Sequence, residues 1–364
     1  MAITTILSHK HHFLLAAALA LFIAFFSPPA KASGSFKVCW SIYAGWMPWG
    51  YAESHGIIDK WAKRYDIDID VEQINDYVES INQYTSGNFD GCAMTNMDAL
   101  TIPAASGVDS TALIVGDYSA GNDGIALRGA TDLHAIRGRK VHLVQFSVSH
   151  YLLARALDSI GLSERDISTV NTSDADIVAV ASDPGTQAVA TWNPQLAAIA
   201  AIPDYHVVYD SSQIPGEILD LMVVNSKTLK NHPELGKALV GAWYETMGIM
   251  ERQSAQRQSA LSDMAKASGT DLPGYLRQLD AIHLFSQPQE AIDFMRSAKL
   301  LHTMQHVANF SFQHGLLGES VPDAGAVGIE TPAGTYGDKR NIKLRFDPSF
   351  VVDYTASNTQ DLHR

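Results

Sequence analysis

FKVCWSIYAGWMPWGYAESHG, residues 36–56, starts as a short apolar run, breaks at a segment carrying Trp46, Pro48 and Trp49, and resumes near Tyr51 with helical spacing. A strand followed by a loop and a helix is the repeating unit of an open α/β sheet, where ligands sit at loops leaving the carboxyl ends of the strands. Two tryptophans and a glycine at such a point form either the wall of a small-molecule cleft or a hydrophobic plug. The cleft is the reading carried forward.

Outward from this stretch the unit repeats. Tyr51 to Tyr65 has helical spacing, with Ile57, Ile58, Trp61 and Ala62 on one face, and Ile67 to Ile74 alternates apolar with acidic residues as a half-buried strand does. Asp76 opens a helix running to Ser86, with Glu79 three residues on as its capping-box partner. Phe89 to Thr95 reads as a buried strand, and Asn96-Met97-Asp98 leads into a helix. Ser110 to Gly116 and Gly124 to Arg128 are strands on either side of DYSAGND. A second α/β set follows: strands at 140–144, 167–171, 187–192, 206–209 and 218–224, a helix at 151–160, and a further helix capped by Ser173 and Asp174. From Leu229 long amphipathic helices fill 233–268, 271–279, 288–295 and 297–314. A Gly/Pro/Asp-rich tail then carries one extended segment, 342–354. Alternating strands and helices predict α/β architecture with parallel-rich sheets. Crossings near 115–128 and 210–225 predict two lobes joined by a two-strand hinge. The expected boundaries are residues 33–120 and 218–364 for lobe 1, with its helical carboxyl-terminal part, and 121–217 for lobe 2.

Residues 1–32 are expected to lie outside the fold. Lys10-His11-His12, the apolar run 13–26, Ser27-Pro28-Pro29 and Ala30-Lys31-Ala32 have the layout of a signal peptide cleaved near Ala32, and the run is shorter than the roughly 20 residues a membrane span needs. Cleavage would remove Lys10 and Lys31 and no acid, taking the formal charge from −13 to −15. So acidic a chain has no electrostatic reason to bind nucleic acid or anionic lipid. Cys39 and Cys92 lie inside apolar strand-like runs and are read as buried free thiols, although export would permit a disulfide. No G-x-S-x-G, Walker loop or H-E-x-x-H is present, so no enzyme and no cofactor is expected. His302, His306 and His314 share a helical pattern with no acidic partner nearby in the sequence, and are read as a solvated face and not as a metal site.

With these residues in view, FKVCWSIYAGWMPWGYAESHGI, FDGCAMTNMDALTIPAA and TWNPQLAAI resemble the substrate-binding proteins of nitrate/sulfonate/taurine-type ABC importers. More narrowly they resemble the branch associated with urea carboxylase gene regions and guanidine metabolism. The resemblance spans the mature chain. It implies a two-lobed, type II periplasmic binding protein fold, a periplasmic and monomeric receptor, and an ABC permease with its ATPase as partners. A receptor linked to a sensor is the alternative of another kind. Pyrimidine synthases of thiamin biosynthesis share the general fold but are not exported and carry a cysteine-rich motif absent here.

The candidate ligand-binding residues are Trp46, Trp49, Asp76, Asn96, Asp98, Asn122, Asp123, Ser149, His150, Trp192 and Glu217. Each has a structural reading beside it: Asp76 and Asp98 as helix caps, Asp123 and Glu217 as hinge residues, the tryptophans as packing, His150 as a surface or packing residue. None is Lys or Arg, and an oxyanion site needs such cations or a ring of backbone donors. Only the helix start at Ser147–Tyr151 could supply those donors. Carboxylates and indole faces suit guanidinium, whose planar fork pairs with Asp or Glu and whose weakly hydrated face stacks on tryptophan. Urea would need fewer charges and one donor, from a tryptophan N–H or the Asn122 amide. A small planar nitrogen compound, guanidinium or urea, is therefore the expected ligand, with a nitrate- or sulfonate-type anion as the alternative.

Overall fold

Val38 to Trp40 and Gly91 to Thr95 are apolar without alternation, and both are buried throughout, as strands with helices on each side must be. They belong to β1 (Ser35–Trp40) and β3 (Gly91–Thr95), the middle of a large sheet in a computed structural model that describes residues 34–318 and 321–361. The remaining strands are β2 (Asp68–Gln73), β4 (Ser110–Ser119), β5 (Asp123–Arg128), β6 (Lys140–Leu143), β7 (Ser168–Asn171), β8 (Ala188–Trp192), β9 (Tyr205–Asp210), β10 (Leu219–Asn225), β11 (Ile282–Leu284), β12 (Gly328–Thr331), β13 (Gly334–Tyr336) and β14 (Ile342–Phe346). Among the described residues the large sheet has nine strands, ordered β13-β12-β14-β4-β10-β3-β1-β2 with β11 against β4, and the small sheet runs β7-β6-β8-β5-β9.

β1 pairs in parallel with β2 and β3, whereas β10 runs antiparallel between β3 and β4. The chain leaves the large sheet at Ser119, enters the small one at Asp123, and returns between Asp210 and Leu219. Ser211 ties the two crossings together: its hydroxyl bonds that of Ser119 at 2.6 Å and accepts the Gly121 N–H at 2.8 Å. Helices from 233 onward pack on the large sheet.

Several elements differ from the sequence reading, each for a local reason. The helix after β1 starts at Met47, with Pro48 in its first turn where a missing N–H costs nothing, so Trp49 is helical and not in a loop. The expected helix 51–65 is two, Met47–Ser54 and Ile57–Arg64, divided at Gly56, whose φ of 70° glycine adopts freely. The long pattern 233–268 likewise divides into Pro233–Glu251 and Ala255–Ala267. Ser173 and Asp174 do not cap the next helix, which begins at Ile177, because their side chains bond across to Asp76 and Tyr77. Residues 342–354 form β14 and then a helix from Ser349. Cys39 and Cys92 are not free thiols: β1 and β3 place them opposite each other, 4.4 Å apart at Cα, and they form a disulfide. The helical histidines do meet acids, His306 at 3.7 Å from Glu217 and His314 at 3.5 Å from Asp158. The leader at 1–32 lies outside the described residues.

Candidate ligand-binding site

Between the sheets, Tyr43, Trp46, Tyr77, Thr95, Val148, Trp192, Asp123 and Asp220 enclose a small cavity. About 10 Å³ of it is open to the centre of a water-sized sphere, enough for one water and far below the 300–1,000 Å³ of a drug-sized site. Its walls are aromatic. Trp46 lies 4.9 Å from Tyr43 edge-on and 5.6 Å from Tyr77, and Tyr77 lies 5.4 Å from Trp192 edge-on (centroid distances). Such offset and edge geometries are those the ring quadrupoles favour.

Acid dominates what remains. Asp123 and Asp220 line the cavity, and Asp117 and Asp98 stand just behind it, held by Tyr43 and Tyr77 respectively. Asp117 and Asp220 are cross-strand partners on β4 and β10, a like-charge pairing that is unfavourable unless a proton or a cation intervenes. Tyr43 donates to Asp117 at 2.7 Å, Tyr77 to Asp98 at 2.5 Å, and Ser119 to Asp123 at 2.5 Å. Burial, joined for Asp117 and Asp98 by the charge of Asp123, outweighs the hydrogen bonds that favour the ionised forms and leaves Asp117 and Asp123 at about 6 and Asp98 at about 7. Asp220 is held well above the usual range by burial and then by the charges of Asp117 and Asp123. One oxygen each of Asp98, Asp117 and Asp220, both amide atoms of Asn122 and the indole N–H of Trp46 are buried with no hydrogen-bond partner. No Lys or Arg lines the cavity among the described residues. A side chain at Gly45 would collide with the Asp117 carboxylate, so only glycine lets the loop pass that close.

The helix start expected to offer donors to an anion is already occupied. Thr95 and Tyr77 fix Asp98, whose carboxylate accepts the Val148 N–H at 3.3 Å, while Ser147 caps the N–H of Ser149 and its carbonyl takes those of His150 and Tyr151. The protein's own acid sits where an oxyanion would need donors.

The other sequence candidates are placed as follows. Trp46, Asp123 and Trp192 line the cavity. Trp49 packs against Trp243 at 5.1 Å inside the large-sheet core. Asn96 spends its amide on the chain at Glu217 and Leu219, stapling the return crossing. Asp76 caps the helix Tyr77–Thr85 and accepts the hydroxyl of Ser173, just after β7, at 2.8 Å. Ser149 is buried with its hydroxyl unpaired, and His150 is engaged by the Phe146 N–H and by Glu164 at 3.0 Å. Glu217 is taken bidentately by Arg155, both bonds 2.9 Å, and by Tyr151 at 2.7 Å. It ties the return crossing to the helix Val148–Ser159 and has no free edge for a ligand. Tyr43, Tyr77, Asp117 and Asp220 escaped the sequence reading, although an aspartate interrupting an apolar strand (LIVGD, ILDLMVV) was a usable signal.

A family model described as NMT1/THI5 like matches residues 60–250. No curated protein matches the chain. Among solved structures it is similar to the alkanesulfonate-binding protein SsuA of Xanthomonas axonopodis pv. citri bound to MOPS, at 18% identity and TM-score 0.65, covering 80% of this chain and 96% of that one. The periplasmic aliphatic sulphonate binding protein SsuA of Escherichia coli matches at 18% and 0.61, covering 80% and 89%. The periplasmic nitrate-binding protein NrtA of Synechocystis PCC 6803 matches at 13% and 0.57, covering 91% and 99%. These likenesses give the fold, the two-lobed type II periplasmic binding protein architecture.

Proposed function

The chain belongs to the NMT1/THI5-like family, and we propose that it is the extracytoplasmic solute-binding receptor of an ABC importer, selective for guanidinium. On this reading residues 33–120 and 218–364 form one lobe, 121–217 the other, and the ligand is buried where they meet. The closed form then docks on a permease served by an ATPase. The three solved neighbours are named as sulfonate- and nitrate-binding proteins, which supports a binding role without covalent chemistry and supplies the anionic reading as a competitor.

One observation carries the choice of ligand: four buried aspartates surround an aromatic cavity without a lysine or arginine in its lining. Two carboxylates opposite each other on adjacent strands need a proton or a cation between them, and a bound cation is what would let both ionise. The one-water cavity has to widen to admit guanidinium, which then supplies charge, planarity and six donors, each face it lays on Trp46 or Trp192 contributing roughly 0.5–2 kcal/mol. An anion would meet acids on every side and a helix start already capped by Asp98. Urea keeps a place because the free Trp46 N–H and Asn122 amide could serve its carbonyl.

Calorimetry and thermal shift of the mature protein with guanidinium, urea, nitrate and taurine test the assignment. A ligand that binds the folded state alone adds about 2.7 kcal/mol at a hundredfold excess over Kd. Guanidinium should give the largest upward shift. Stabilisation by nitrate or taurine with no response to guanidinium would sink the charge argument.

A further inference from the structure

Asp117 and Asp220 face each other as cross-strand partners of β4 and β10, and opposed side chains on adjacent strands lie on the same face of the sheet. The register shifts immediately beyond Asp220, leaving Gly116 as an extra residue in β4, a bulge of the kind that re-aims a neighbouring side chain. The two carboxyls lie within hydrogen-bonding reach of each other, and both residues are sealed from solvent, Asp117 at 0% and Asp220 at 3% exposure. Tyr43 donates to Oδ1 of Asp117 at 2.7 Å, and Oδ2 of each acid has no donor among the described residues. Two carboxylates cannot donate to one another, so a proton on one of them is the donor that closes the contact. Asp220 lines the cavity, with Asp117 behind it.

We propose that this dyad is the element of the site that distinguishes a cation from a neutral ligand: the empty protein holds one proton shared between Asp117 and Asp220, and the bound cation takes its place. The inference rests on the guanidinium reading of the cavity and adds how the ligand's charge is sensed. The exchange balances. One carboxylic acid, one carboxylate and one guanidinium ion become two carboxylates beside guanidinium. The only bond broken is the O–H of the acid, whose electron pair stays on the carboxylate while the proton goes to bulk water. The surroundings favour a retained proton in the empty protein. Asp123 on β5 borders the same cavity and adds its negative charge, and burial acts in the same direction on both acids, as like-charged neighbours that share a site require. Tyr43 favours the charged form of each through its hydroxyl, and His283 on β11 does so at Asp117 by its positive charge. Tyr275, close to Asp117, spends its hydroxyl on the Ala44 carbonyl at 2.9 Å and is kept neutral by burial. No Lys or Arg borders the cavity among the described residues to stand in for the ligand's charge. Urea brings no charge and leaves the proton where it is.

The test is titration calorimetry of the mature protein at pH 7 with guanidinium chloride and with urea, each in phosphate and in Tris, whose heats of ionisation differ widely. A proton released on binding is taken up by the buffer, so the observed heat changes between buffers in proportion to the number released. Guanidinium should release about one proton per site and urea none. Carboxyl-carbon NMR of the aspartates, with and without saturating guanidinium, identifies the source. The signals of Asp117 and Asp220, assigned in the empty protein with Asp117→Asn and Asp220→Asn, should both move to the ionised position. Either substitution alone makes the assignment should the other variant misfold, because removing one acid also shifts its partner. Guanidinium heat that is the same in both buffers overturns the exchange and leaves the ligand assignment standing, as does a proton released equally by urea. Buffer-dependent heat with unmoved Asp117 and Asp220 signals places the proton elsewhere and overturns the dyad. No guanidinium heat in either buffer removes the ligand assignment and the exchange together.

Discussion

Replacing Asp123 by Asn should stabilise the empty protein and disable it. Asp123 is 3% exposed, lines the cavity, and has its pKa raised to about 6 against an ordinary value near 3.8. A rise of about two units corresponds to roughly 3 kcal/mol of lost stability once the group is ionised in both states. Because the folded value is the higher one, the native chain holds more protons than the unfolded chain between pH 4 and 6. Stability is therefore full below pH 4 and drains away as pH climbs through 6. Asparagine keeps the shape and can still accept the Ser119 hydroxyl, but never carries the charge. At pH 8 the variant should gain about 3 kcal/mol, or near 6 °C in Tm at the lower sensitivity of a long chain. At pH 4, where a proton does the same work, the two proteins should melt together. Guanidinium affinity should fall thirty- to a hundredfold, the value of a charge-assisted hydrogen bond of about 2–3 kcal/mol. Differential scanning calorimetry at the two pH values and titration calorimetry at pH 8 give all three numbers. A variant equally destabilised at pH 4 and pH 8, or one that binds guanidinium like wild type, would refute the reasoning.

Three further outcomes follow from the same geometry. Guanidinium affinity of the wild type should weaken steadily from pH 8 to pH 5, as Asp98, Asp117 and Asp123 take up protons near 7, 6 and 6, whereas urea binding should stay flat; calorimetric titration at four pH values checks both, and a flat guanidinium profile counts against the cation. Trp46→Ala and Trp49→Ala each remove a buried ring and should each cost about 3–5 kcal/mol of stability, but only Trp46→Ala should also weaken guanidinium tenfold or more in the fraction that is folded; equal loss of binding from the two would mean that the loop has a single role. Opening the Cys39–Cys92 bridge, which joins positions 53 apart in sequence, should cost about 4 kcal/mol on the loop-entropy account, read as the difference between the denaturant midpoints of wild type and Cys39→Ser/Cys92→Ser; coincident curves would show that the bridge adds nothing.

Strand and helix existence was legible wherever a period or a cap was strong. The buried runs at 38–40 and 91–95, the Asp76 cap and the Ser147 cap are read directly from residue types. Breaks inside long helical patterns were not, because Gly56 and the segment 252–254 interrupt the helices without disturbing their apolar period. The strand pairing of Cys39 with Cys92 was equally hidden, since register is a property of two strands and not of either alone. Asn96, Asp76 and Glu217 carry the residue types of a ligand site, yet their partners lie far off in sequence: Leu219, Ser173 and Arg155.

By itself the sequence determined an alternating α/β chain, acidic overall, with tryptophan and aspartate at the points where strands end. Those properties are local, set by side-chain period, capping chemistry and composition. Tertiary structure alone decided which acids face one another. Asp117 and Asp220 are 103 positions apart and become neighbours only through the antiparallel register of β4 and β10, and Asp98 comes to cap the helix at Val148, 50 positions on, only in the folded chain. Charge repulsion, desolvation and the resulting demand for a proton or a cation depend on distance through space, and sequence spacing does not contain that distance.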